Sequence, residues 1–120
     1  MSTQLIDVSG LTVVLQDFAA ERDWTRFHSP KNLVMALSVE VAELVELFQW
    51  RTEDESRAAR GDANLRQALT DEVADVLIYL TELADTLGID MNDAVVQKLA
   101  KNALKYPVPV GRKKATQRHR

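Results

Sequence analysis

Residues 32–43 read NLVMALSVEVAE, and residues 64–75 read NLRQALTDEVAD. Laid over one another at an offset of 32 residues, the two segments are identical at seven of twelve positions, and Glu40 falls on Glu72 as Glu43 falls on Asp75. At about 100° per residue around a helix, Leu33, Leu37, Val41, Leu44 and Phe48 occupy an arc of roughly 80°. Glu40 stands inside or beside that arc and Glu43 at its edge, while Glu46 falls on nearly the opposite side, towards solvent. Leu65, Leu69, Val73, Val76 and Leu80 repeat the stripe, with Glu72 and Asp75 at the equivalent angles. The period is that of two similar amphipathic helices, each with a pair of acids at the margin of its apolar face.

Reading outward from this pair, the same periodicity predicts four helices and no strand, near residues 11–22, 30–50, 64–87 and 91–105. The first has Leu11, Val14, Leu15, Phe18 and Ala19 on one face. A loop, DWTRFHS (23–29), interrupts the pattern before Ser29 caps the second helix and Pro30 takes its first position, where a missing N–H is harmless. Polar residues 51–63 read as a connector. Gly88 ends the third helix, Asp90 with Asp93 opens the fourth, and Pro107 closes it. The expected fold is all-α, a subunit resembling a four-helix bundle, with one domain over 1–110 and a basic, disordered tail at 111–120.

The chain is 120 residues long, about the size of a single core, and 46% of its residues are hydrophobic against 28% charged, an ordinary globular balance. No apolar run approaches the roughly 18 residues of a membrane span, and MSTQLIDVSG lacks the order of a signal peptide, so a cytoplasmic location is expected. Cysteine is absent, which removes disulfides, thiolate metal sites and a Cys nucleophile together. The net charge of −3 is uneven: GRKKATQRHR at the end carries five Lys or Arg, leaving 10 basic against 18 acidic residues in the first 110. Such an acidic body is a poor partner for duplex nucleic acid.

A carboxylate at the edge of an apolar stripe is costly unless it is paired or bound to a cation. Two helices packed by these stripes bring Glu40, Glu43, Glu72 and Asp75 together, and like charges so close raise one another's pKa values unless a divalent ion relieves them. With oxygen ligands alone, Mg²⁺ suits the site and Mn²⁺ is possible. A di-iron bundle also hangs carboxylates between helices, but it wants Glu-x-x-His pairs, and neither His28 nor His119 stands at that spacing. His28 reads as a structural or exposed loop residue outside the site.

FAAERDWTRFHSPKN (18–32), EVAELVELFQW (40–50), DEVADVLIYL (71–80) and KLAKNALKYP (98–107) resemble the MazG-like, all-α nucleoside triphosphate pyrophosphohydrolase superfamily, and most closely its dCTP pyrophosphatase branch. The resemblance implies a house-cleaning hydrolysis of a (deoxy)nucleoside triphosphate, dCTP or a modified dNTP, to the monophosphate and pyrophosphate. It implies Mg²⁺ on Glu40, Glu43, Glu72 and Asp75, and a homodimer commonly assembled as a dimer of dimers, a homotetramer. Glu43 and Glu72 are the candidates for the catalytic base, beside a water activated by the metal alone.

Lys98, Asn102 and Lys105 are spaced four and three apart, hence on one helical face, and match the branch's phosphate-holding pattern, although Lys105 stands where an Arg is often found. Trp24, Trp50 and Tyr79, with Tyr106, are candidates for the base and sugar pocket, since a flat π-face stacks on any nucleobase. Leu15 stands where the branch can carry a pocket His, which loosens the expectation of cytosine. Two alternatives remain at this point: a non-catalytic helical dimer that binds nucleotide through a metal, and a dUTP or phosphoribosyl-ATP specialist of the same superfamily.

Overall fold

Ser29 and Asp62 start the two helices that carry the acids. In the computed structural model, which describes residues 3–110, both are extended, and each side chain accepts the backbone N–H three residues on, from Asn32 and Leu65 respectively, at 3.1 Å. These bonds satisfy donors that a helix start would otherwise leave orphaned. The α-helices among the described residues are α1 (Ser9–Glu21), α2 (Pro30–Glu46), α3 (Glu53–Ala58), α4 (Ala63–Leu87) and α5 (Met91–Lys105), with 3₁₀ turns at Thr25–Phe27 and Ala59–Gly61 and no strand. The all-α expectation holds. No described helix is long and apolar enough to cross a membrane, and the expected tail, 111–120, lies outside the described residues.

The larger departures from the expected boundaries follow α2. α2 stops at Glu46, four residues before Trp50, because the backbone tightens: Leu47 and Phe48 donate to carbonyls only three residues back, and the Arg51 side chain caps the Leu47 carbonyl at 2.8 Å. Thr52 then turns extended and begins the unexpected α3. Its hydroxyl accepts the Glu55 N–H at 3.1 Å while the Glu55 carboxylate accepts the Thr52 N–H at 2.8 Å, a reciprocal capping box. At the other end of α4, Gly88 adopts φ +68°, a left-handed cap that a side chain would strain.

Residues Val8–Ile89 form one unit. Within it α2 runs against α4, and α1 packs on α4 as well. The buried core is small: Leu33 of α2, Leu65 and Ala84 of α4, Ala19 of α1 and Ala59, with Thr81 beside them. Of the expected stripes, Leu37, Leu44, Phe48, Leu69 and Val76 are only half-buried, and Val41, Val73 and Leu80 are exposed. α2 and α4 meet along one edge of the stripes, so the remaining apolar surface faces outward. Val34, Met35, Val39, Val45 and Leu77 extend it, far beyond the isolated apolar residues usual on a surface.

The second unit, as described, comprises residues 3–7 and 90–110. Asp90 caps α5 by accepting the Asp93 N–H at 2.9 Å. Asn92 ties the leading segment, residues 3–7, down: its Oδ1 accepts from Leu5 and Ile6 N–H at 2.7 and 3.0 Å, and its Nδ2 donates to the Thr3 carbonyl at 2.7 Å.

Candidate metal centre

Glu40 and Glu43 lie one turn apart on α2, and Glu72 and Asp75 one turn apart on α4, so the α2–α4 packing turns two sequence pairs into one cluster. One carboxylate oxygen from each of Glu40, Glu43 and Glu72 falls within 4.8 Å of the others, a triad that could hold a divalent metal ion. Asp75 stands next to Glu40 and adds its charge, although it is not one of the three. Glu72 Oε2 is shielded from solvent with no hydrogen-bond partner. A hidden carboxyl oxygen without a donor is an acceptor that a proton or a cation can satisfy, and an all-oxygen donor set suits a hard ion.

Electrostatics agrees with this. The Glu72 carboxyl is pushed up to about 7, first by its contact with the Glu43 carboxyl, which favours a shared proton, then by burial, then by repulsion from Glu43, Glu40 and Asp75. Burial raises Glu40 as well, followed by the charges of Glu43 and Asp75. Protons and a divalent ion are thus alternative ways of neutralising one cluster.

Beside the cluster, still within Val8–Ile89, α1 and α4 enclose a cavity of about 460 Å³ walled by Leu15, Phe18, Trp24, Ile78 and Tyr79, with Asp75, His28 and Glu82 as its charged or titratable members. Phe18 and Trp24 meet edge to face, centroids 5.7 Å apart, and the Arg22 guanidinium covers Phe18 at 3.4 Å. Asp23, at φ +55°, makes the sharp turn after α1 that lets the Trp24 N–H bond back to the Ala19 carbonyl at 2.9 Å. The size is within the usual range for small-molecule pockets. Burial, and then the charges of Glu40, Glu82 and Asp75, raise the Tyr79 phenol, so it stays protonated as a donor.

The expected site residues divide. Glu40, Glu43 and Glu72 come together with Asp75 at their side, and Trp24 and Tyr79 share the cavity. Trp50 does not line it; the indole ends the turns after α2 and is 88% exposed. Lys98, Asn102 and Lys105 lie along α5 in the other unit, where Lys105 Nζ sits 5.4 Å over the exposed Tyr106 ring. His28, expected to be outside the site, lines the cavity and pairs through Nδ1 with Glu82 Oε2 at 3.2 Å. Glu82 had no place in the sequence reading. Its spacing of seven from Asp75 on the α4 face was the available signal.

The MazG-like family's sequence model matches residues 35–118. The chain is 47% identical over 96 residues to dCTP pyrophosphatase 1 of Mus musculus and equally to that of Homo sapiens, matches that cover 80% of this chain and 56% of each relative. The chain therefore spans little more than half the length of these relatives. A crystal structure of a pyrophosphatase from Archaeoglobus fulgidus superposes with a TM-score of 0.77 at 38% identity, covering 90% of this chain and 99% of that one.

Proposed function

This chain belongs to the MazG-like family, and we propose that it is a magnesium-dependent pyrophosphohydrolase that converts a deoxynucleoside triphosphate, dCTP or a modified dNTP, to the monophosphate and pyrophosphate. The observation that carries this reading is the contiguity of the acidic triad with an aromatic cavity, joined through Asp75, which stands beside Glu40 and lines the cavity. An ion on the acids serves phosphates, and aromatic walls serve a base.

Glu40, Glu43 and Glu72 would hold the ion, with Asp75 completing the set; Mg²⁺ is favoured over Mn²⁺ for a substrate that brings its own phosphate oxygens. When bound, the ion supplies charge neutralisation at the α-phosphate and acidifies the attacking water. Glu43 or Glu72 would accept the proton that the attacking water gives up as its oxygen bonds to the α-phosphorus and pyrophosphate departs. Phe18, Trp24 and Tyr79 would sandwich the base and exclude water from it. Lys98, Asn102 and Lys105 are assigned to phosphate oxygens on their side-chain chemistry and the resemblance alone, with Tyr106 beside them. The outward apolar face of α2 and α4 supports a second copy of this chain as its partner, in a dimer or dimer of dimers.

With single dNTPs and Mg²⁺, the protein should release pyrophosphate, and Glu40→Gln and Glu72→Gln should each lose most of that activity. Release of orthophosphate alone would contradict the reaction. Undiminished turnover in both variants would contradict the site.

A further inference from the structure

We propose that Glu82, held by His28, reads the base of the nucleotide by accepting a hydrogen bond from an exocyclic amino group, so that the cavity takes cytosine in preference to uracil. This inference rests on the reading of the 460 Å³ cavity as the base pocket.

Asp75, Tyr79 and Glu82 are spaced four and three apart on α4 and project from one face, all into that cavity. Asp75 marks the metal end. Glu82 is seven residues further, two turns or about 10 Å along the axis, which leaves room for a nucleoside between them. A nucleotide with its phosphates at the acids therefore lays its base between Trp24, Phe18 and Tyr79 and presents the outer edge to Glu82.

What stands there is an acceptor. The side chains of His28 and Glu82 are 22% and 14% exposed, and the imidazole engages only one carboxylate oxygen, Oε2. Glu82 also lines the cavity, and its second oxygen, Oε1, is the acceptor assigned to the base. An ionised carboxylate has no proton to donate: it pairs with the 4-amino group of cytosine and repels the 4-carbonyl of uracil or thymine. Rejection is stronger than a lost contact, because the wrong base sets two acceptors against each other in a part-buried site. Burial raises the Glu82 carboxyl, and the His28 charge opposes that rise.

The test compares dCMP with dUMP, which differ only along this edge, by calorimetry on the full chain with Mg²⁺. The wild-type protein should bind dCMP at least about tenfold more tightly. Glu82→Gln, whose amide can donate to one base and accept from the other, should bring the two affinities within about threefold, as should Glu82→Met, which keeps the packing if the amide disturbs it. Equal wild-type affinities, or an equal loss for both nucleotides in the variants, would overturn the inference; the latter would place Glu82 on the sugar. The ratio of kcat/KM for dCTP over dUTP should fall in parallel. Pyrophosphate release with an unchanged ratio would overturn the role of Glu82 and leave the reaction standing. No release from any dNTP would remove the reaction, while the monophosphate comparison would still decide for or against Glu82.

Discussion

Glu72 keeps its proton far above the ordinary carboxylate range because Glu43, burial and two further acids all act against its charge. The folded chain thus holds this proton more tightly than the unfolded chain. The stabilisation is fully present below about 4.5 and is lost as pH rises through about 7. In the absence of divalent ions, the melting temperature should fall between pH 5 and pH 8, and Glu72→Gln, neutral throughout, should flatten that slope. Mg²⁺ should restore the loss at pH 8 and do little at pH 5, since it must displace the proton to bind. A metal-free protein that grows more stable over this interval would contradict the assigned cluster. These acids were readable from sequence because the repeat places them at matching angles on matching helices. Glu82 and His28 were not, because the repeat ends at Asp75 and their pairing joins residues 54 positions apart, which only the fold brings within 3.2 Å.

At the scale of elements, boundaries followed cap chemistry more closely than hydrophobic period. α5 occupies the expected 91–105 because Asp90 caps it and Pro107 follows it. The apolar rhythm overstates α2, since Leu47, Phe48 and Trp50 continue a period that the backbone abandons at Glu46. The period is silent on α3 for the opposite reason: six residues are too few for an apolar face, and its signature is the Thr52–Glu55 pair. Thr52→Ala removes that box and should weaken the helix start by about 1 kcal/mol, seen as roughly fivefold faster amide exchange at Ser56–Ala58. Exchange unchanged at those amides would mean that α3 is held by its neighbours and not by its cap.

For the molecule as a whole, the amphipathic stripes were legible but their burial was not, because a period reveals which face is apolar and not what covers it. The exposed face of α2 and α4 implies that the proposed partner copy completes the core. Val45→Glu, 55% exposed on α2, should leave the helical content intact and lower the mass in sedimentation equilibrium to that of one 13.5 kDa chain; an unchanged mass would put the contact elsewhere. The two tryptophans carry a different consequence. Trp24 sits in the cavity wall against Phe18, while Trp50 is almost bare, so the chain has two indole fluorophores in unlike surroundings. Iodide should quench Trp50 first, and in Trp50→Phe the remaining emission should change as nucleotide enters, a built-in optical gauge of occupancy that requires no turnover.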